Sequence, residues 1–234
     1  MIDFHSHILP KVDDGSQSME ESLEMLRRSL RQDVDTVFLT SHFYAFEDNL
    51  ESFLQRRDSA YAALIKTIHD YPEPMPRIFR GAEVLYFPGM CDANEIACLA
   101  LENTKCLLVE PPWDEWTSDM LDEIEETGKR LRLIPVIAHI DRYMYMFDDF
   151  SLAEQVFSRR MLAQVNANFL FSPDSFAFAM KLMCSGRFQL IGSDAHNLES
   201  RPPNIGKAIR RITDAGFAGT LETFDKKSRS LLKG

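Results

Sequence analysis

The chain has 234 residues, 45% hydrophobic and 26% charged, the balance of a soluble globular protein long enough for one barrel-sized domain spanning residues 1–234. A formal net charge of −10 offers no basic surface for a nonspecific hold on nucleic acid, and any anionic substrate would need local positive charge to draw it in. Its apolar stretches fall short of the roughly 18–20 residues of a membrane span, which argues against membrane insertion.

No basic-plus-apolar leader precedes the first apolar run, so the cytoplasm is the expected location. Cys91, Cys98, Cys106 and Cys184 lack the paired spacing of a zinc knuckle, and a chain this long does not need disulfides. Reduced thiols are expected.

In chain order, a short apolar run alternates with a polar amphipathic stretch. Strands are predicted at 2–5, 36–40, 77–84, 106–110, 133–139, 162–167 and 188–193. Helices are predicted between them. Ser18 with Glu21 three residues on forms a capping box, followed by Leu23, Leu26 and Leu30 at helical spacing. Residues 48–71 and 118–131 are amphipathic, Ser172-Pro173 opens a further helix, and 204–215 and 220–232 close the chain. Apolar strands alternating with helices imply a parallel sheet covered on its faces. About seven such units favour a barrel related to the (β/α)₈ type over a doubly wound sheet.

The ends of these strands carry the chemistry. His5 and His7 end the first, two apart and so on one side of an extended chain, with Asp13-Asp14-Gly15 on the following turn. His42 follows the second strand, Glu83 ends the third, Glu110 the fourth and His139 the fifth. Asn166 and Asn168 mark the sixth, and Asp194 and His196 end the seventh. Barrel active sites lie on this carboxyl-terminal face. Only His69 falls inside a predicted helix, as ordinary surface. Any one of these residues reads more simply as a structural hydrogen-bonding group, but six strand ends would have to carry such groups independently. Four carboxylates on one rim repel unless counter-charge is present. Two or three divalent cations supply it, and mixed nitrogen and oxygen donors suit Mn²⁺, Fe²⁺ or Zn²⁺.

This set resembles the PHP (polymerase and histidinol phosphatase) superfamily, with its His-x-His start, second-strand His, central Glu, later His and terminal Asp-x-His. It is similar in particular to the bacterial PHP-type tyrosine-protein phosphatases linked to capsular and exopolysaccharide synthesis. The similarity runs the length of the chain: Met-Ile-Asp-Phe-His-Ser-His-Ile at 1–8, Gly-Ala-Glu-Val at 81–84, Leu-Leu-Val-Glu at 107–110, Ala-His-Ile-Asp-Arg-Tyr at 138–143 and Ser-Asp-Ala-His-Asn-Leu-Glu-Ser-Arg-Pro-Pro at 193–203. The resemblance implies a distorted TIM-like (β/α)₇ barrel of PHP type. It also implies a three-metal site held by His5, His7, Asp14, His42, Glu83, Glu110, His139, Asp194 and His196, with Glu83 bridging two ions and Mn²⁺ the first choice of metal. Two departures stand out. Ile140 replaces a Pro common in relatives, which should alter only loop stiffness, and Phe43 replaces the second of a paired His, which removes a substrate or supporting contact.

Such a centre implies in-line attack on a phosphate monoester by a metal-held hydroxide, the two ions lying roughly 3.5–4 Å apart. Arg142 and Arg201 are placed to bind the non-bridging oxygens. Three divalent ions and four carboxylates sum to about +2, which answers the overall acidity of the chain. A tyrosyl leaving group, with a pKa near 10, needs little proton help, which a rim histidine (His42 or His196) or bound water could give. The expected substrate is protein phosphotyrosine, on a bacterial tyrosine kinase; the alternative is a small monoester such as histidinol phosphate. An amidohydrolase-like deaminase lacks its bridging Lys, since Glu110 stands at the fourth strand, and a silent metal-binding scaffold sits poorly with an intact donor set. Residues six after the four cysteines are Ala97, Thr104, Pro112 and Leu190, none an Arg, which closes the cysteine-phosphatase route. Near Glu110 and His42, Pro111-Pro112-Trp113 with Trp116, and Phe43, Tyr44 and Phe46, are either loop packing or a wall for a phenyl ring.

Overall fold

The right-handed twist of the strands winds them into a curled parallel sheet. A computed structural model describes residues 1–113, 116–146 and 151–232. The elements, in order, are β1 (Ile2–Asp3), α1 (Met19–Leu30), β2 (Thr36–Leu39), β3 (His42–Phe43), α2 (Leu50–His69), β4 (Arg77–Arg80), β5 (Glu83–Leu85), β6 (Cys106–Glu110), α3 (Ser118–Leu131), β7 (Ile134–Ile137), α4 (Ile140–Met146), α5 (Leu152–Phe157), β8 (Leu162–Asn166), α6 (Pro173–Cys184), β9 (Leu190–Gly192), α7 (Ile205–Asp214) and α8 (Ala218–Ser230). Short 3₁₀ segments occupy Met90–Asp92, Asn94–Leu99 and Ala167–Leu170.

The strands pair in two parallel runs, β1-β2-β4 and β3-β5-β6-β7-β8-β9. Each run continues into the other. Thr40 and Ser41 separate β2 from β3, Gly81 and Ala82 separate β4 from β5, and across this double break Gly81 N donates to Leu39 O (3.0 Å) and Glu83 N to Thr40 O (3.2 Å). On the far side Phe4 N donates to Ile191 O (3.1 Å), Asp194 N to His5 O (2.8 Å) and His7 N to Ala195 O (2.8 Å), which joins β9 to β1. The sheet is therefore wound as a distorted (β/α)₇ barrel. The predicted third strand at 77–84 is two strands, and the predicted run to 139 stops at Ile137, because both chains turn to bring a polar side chain over the barrel mouth.

Inside the barrel, Ile2, Phe4, Phe38, Cys106, Leu108, Val136 and Leu190 form an apolar floor, with the Phe4 and Phe38 rings stacked at 5.3 Å. Residues two further on continue the same row, so Glu110 follows Leu108, and Gln164 and Asn166 follow Leu162. Polar groups thus crown the floor. The alternate residues Val37, Leu39, Leu107, Val109, Ile137, Ala163 and Val165 face outward into the larger core shared with the helices. Helix entries follow the expected caps at Ser18 and Ser172, and Asn49 and Thr117 cap two more. Ser18 Oγ accepts from Glu21 N (3.1 Å), Asn49 Oδ1 from Glu51 N (2.9 Å), Thr117 Oγ1 from Met120 N (3.1 Å) and Ser172 Oγ from Asp174 N (3.2 Å). The Glu21 carboxylate receives Gln17 N (2.8 Å), one residue before the position a capping box predicts. Among the described residues no helix is long and apolar enough to cross a membrane.

One ion pair ties the last helix to the sheet. Arg229 of α8 donates to both oxygens of Asp35, at the entrance to β2, at 2.9 and 2.5 Å. Burial pushes the Asp35 carboxyl up, but the hydrogen bonds from Arg229 and Thr36 outweigh it and leave the group far below the usual range. Its folded pKa lies below the unfolded value of about 3.9, so its contribution is complete above that value and is lost as pH falls through the folded one. Asp35 is half exposed, which keeps the effect small. Asp35→Asn should lower Tm by about 1–3 °C at neutral pH, with the gap to wild type narrowing steadily in thermal melts as pH falls below about 4. A gap that persists unchanged in acid contradicts this reading.

Candidate metal centre

Two backbone features bring the histidines to the mouth of the barrel. The alternation of β1 breaks after Phe4, so that His5 turns over the floor. The buried Asp3 carboxylate fills the break, accepting from His5 N (3.2 Å) and Ser193 N (2.9 Å). Burial raises the Asp3 carboxyl to about 6, against the pull of these bonds. His139 and Asp194 both adopt left-handed backbone conformations, with φ of 32° and 53°, which non-glycine residues adopt at a cost of order 1–3 kcal/mol and which cluster at functional sites. Two glycines make room: a Cβ on Gly192 would lie 2.4 Å from His5 Cβ, and one on Gly15 only 2.1 Å from His7 O.

All nine predicted ligands converge. Glu83 lies at the centre. Its Oε2 is 2.9 Å from His5 Nε2, 3.2 Å from His7 Nε2 and 3.1 Å from His42 Nδ1, and its Oε1 is 2.9 Å from His139 Nε2. Glu110 stands 3.4 Å from His139 Nε2 and 3.9 Å from His42 Nδ1. Asp194 Oδ1 lies 3.6–3.7 Å from His5, His7 and His196. Asp14, at the solvent edge, reaches His196 Nε2 (3.4 Å) and His42 Nε2 (3.6 Å). His69 is exposed on α2, away from the cluster.

Hydrogen bonds behind the rings set which nitrogen faces inward. His5 Nδ1 meets Gln164 Oε1 (3.0 Å), His7 Nδ1 meets Asp13 Oδ2 (2.8 Å) and His196 Nδ1 meets the Asp194 carbonyl (3.0 Å). Each acceptor places the proton on Nδ1 and leaves the Nε2 lone pair aimed at the cluster. Gln164 passes the order on: its Nε2 donates to Asn166 Oδ1 (3.0 Å), and Asn166 Nδ2 donates to Asp194 Oδ2 (3.1 Å). Asp13 and Gln164 are supporting residues that the sequence reading missed. Asp-Asp-Gly shows two carboxylates on one turn without saying which faces the imidazole, and Gln164 is signalled only by sharing a strand face with Asn166. Asn168, marked beside Asn166, is exposed and joins none of these bonds.

The donor set fits divalent cations. Three groups, His5/His7/Glu83, His42/Glu83/Glu110 and His7/Asp14/His42/His196, each bring their ligand atoms within 4.8 Å of one another. His42 Nδ1, Asp194 Oδ1 and His196 Nε2 are buried without a hydrogen-bond partner, a cost that a cation among them would remove. The electrostatics agree. Burial works against the charged forms of Glu83, Asp13 and Asp194, yet the surrounding imidazoles hold all three carboxyls below the usual range. Asp13 and Glu83 raise His7 well above its ordinary value in spite of burial, and Glu110 and Glu83 likewise raise His139 to about 9, so the acidic cluster draws positive charge to these rings, which a divalent cation would supply in place of a proton. Burial takes His196 down to about 4 and lowers His42, which keeps both in the neutral form that binds metal.

Two cations face this cluster. Arg142, on α4, donates to Asp194 Oδ2, Arg201 forms an ion pair with the same oxygen at 2.7 Å, and both remain partly open to solvent. The aromatic residues divide between the two readings. Trp116 and Phe43 are buried packing, and the Tyr143 ring lies between Trp116 (4.8 Å) and His139 (5.7 Å). Trp113 is 56% exposed beneath the Arg142 guanidinium, Tyr44 stacks on His42 at 5.0 Å, and Phe46 stands in solvent.

Known proteins resemble this chain. The tyrosine-protein phosphatase YwqE of Bacillus subtilis is 28% identical over 220 residues, covering 89% of this chain and 82% of its own. The tyrosine-protein phosphatase CpsB of Streptococcus pneumoniae is 30% identical over 223 residues, 89% of this chain and 88% of its own. A crystal structure from the work on those two enzymes, described as metal-dependent tyrosine phosphatases, superposes with a TM-score of 0.83 at 25% identity, over 100% of this chain and 94% of that one. The family model for capsular polysaccharide synthesis, CpsB/CapC, matches residues 1–223, and the chain belongs to that family.

Proposed function

We propose that the protein is a metal-dependent protein-tyrosine phosphatase whose physiological substrate is a bacterial tyrosine kinase controlling capsule or exopolysaccharide synthesis. The observation that carries the reading is the set of imidazole nitrogens and carboxylates turned inward around Glu83, with two guanidinium groups at its edge. In this reading His5, His7, Asp14, His42, Glu83, Glu110, His139, Asp194 and His196 hold two or three divalent ions, Mn²⁺ first among the candidates. When bound, such ions neutralise phosphate charge and make water nucleophilic at neutral pH.

The rest falls to the chain. Arg142 and Arg201 leave Asp194 to take the non-bridging phosphate oxygens, for which a guanidinium offers two parallel donors. Trp113, exposed beside Arg142, gives the phenyl ring a face to lie on. Burial of Glu83 and Glu110 beneath the rim keeps the electrostatics strong. His42, part-exposed beside Asp14, is placed to move a proton at the leaving oxygen, while the buried His196 has both ring nitrogens committed to the site.

An assay of a phosphotyrosine peptide beside histidinol phosphate tests the substrate class. The expected kcat/KM favours the peptide by more than about tenfold. A preference for histidinol phosphate overturns the assignment while leaving the metal centre intact.

A further inference from the structure

The rim of the metal cluster is electrically lopsided. On one side a groove of about 570 Å³ is lined by Asp13, Asp14, Glu47 and Asp48, and Arg56 within it is paired to Asp48. On the other side α7 begins four residues beyond Arg201. Neither α7 nor α8 carries an acidic residue in its first turn, where α1, α2, α3 and α6 each have at least one, and α7 places Lys207 there. A cation at that end opposes the helix dipole, so helix stability does not explain it.

Lys207, Arg210 and Arg211 lie at i, i+3 and i+4 and share one face of α7. With Phe171 and Phe176 they line a pocket of about 500 Å³. The Lys207 ammonium sits 4.2 Å from the Phe171 ring centre, and the Arg211 guanidinium 4.7 Å from that of Phe176. Among the described residues none of the three cations has a carboxylate within ion-pair distance, Asp214 at the pocket edge included, and Arg211 Nε is buried without a partner. Three like charges within one turn repel each other, and a chain of net charge −10 has acidic residues in excess with which to neutralise them.

We propose that this pocket is a docking site for an acidic segment of the phosphotyrosine-bearing polypeptide. The inference rests on the phosphatase reading above. Aromatic rings fix the cations and partly desolvate them while their remaining N–H groups stay free for carboxylates. Cations spaced along a helix face match a run of carboxylates better than a single phosphate. A polypeptide with its phosphotyrosine at Arg142 and Arg201 meets attraction along α7 and repulsion from the Asp14–Asp48 groove, which sets the direction in which it lies.

The test compares two phosphotyrosine peptides of equal length, one with Glu and Asp flanking the tyrosine and one with Gln and Asn. Wild type and the exposed-site variant Lys207→Glu/Arg210→Glu are assayed on both, with p-nitrophenyl phosphate as the small control. Wild type should prefer the acidic peptide by about tenfold, through KM and with strong salt dependence. The variant should lose that preference with p-nitrophenyl phosphate turnover unchanged. Equal kcat/KM for the two peptides in wild type, or a variant that keeps the preference, overturns the proposal. So does wild-type binding to anionic phospholipid vesicles that the variant loses while its peptide preference stays. If wild type hydrolyses none of the three substrates, the phosphatase reading fails separately. Fluorescence anisotropy of the labelled acidic peptide then still reads the docking site: binding lost in the variant supports it, and equal binding overturns it.

Discussion

Replacement of Glu83 by Gln should reduce kcat by at least about 10²-fold on any phosphate ester while leaving the fold in place. Glu83 is the group that four imidazoles share, at 2.9–3.2 Å, and it is buried with its carboxyl held well below the usual range by those same imidazoles. Gln keeps the volume and one acceptor but removes the negative charge and puts an N–H, which cannot ligate a cation, where a carboxylate oxygen stood. Ala is the poorer test, since deleting one member of a buried charged network costs about 3–5 kcal/mol and confuses folding with chemistry. Circular dichroism and metal content should be read with the rate. Wild-type turnover in Glu83→Gln would remove the centre of this account.

The second large effect is expected from the arginines. Arg142→Ala and Arg201→Ala should each lower kcat/KM for an aryl phosphate by about 10²-fold, the usual cost of losing one donor to a charge-bearing oxygen. Both guanidiniums meet at a single oxygen of Asp194, so they act on one group, and the double variant should lose less than the product of the two singles. Metal content should not change in either single variant, which separates a phosphate-binding role from a metal-holding one. Loss of metal with loss of activity would make the arginines structural props for Asp194 instead.

The strand ends were legible because a parallel barrel forces a simple rule: apolar residues fill the strand, and whatever ends it faces the rim. His5, His7, Glu110 and Asp194 obey that rule, and all nine expected ligands come within reach of one another. What escaped was the geometry between the elements. Residues 77–84 look like one strand because their composition does not change, yet the chain breaks at Gly81, where a Cβ would lie 2.5 Å from Leu101 Cδ2. Helix α4 was hidden because it begins at Ile140, directly after His139, whose left-handed backbone turns the chain without a Gly, a Pro or a capping side chain to announce it.

Supporting residues are harder to read than ligands. Asp13 and Asp14 are adjacent and identical in type, but the turn sends Asp13 beneath His7 and His42 and leaves Asp14 in solvent. Gln164 takes two hydrogen bonds on one oxygen, from the His5 ring and from His139 N, a role that depends on two other strands being in register. Neither role has a local signal, because each is a relation between segments far apart in the chain.

Elemental analysis of protein purified without chelator, read with activity before and after chelation and Mn²⁺ addition, tests the central claim most directly. About two to three transition-metal ions per chain are expected, with turnover lost on chelation and restored by Mn²⁺. Full activity in protein that holds no transition metal would contradict it.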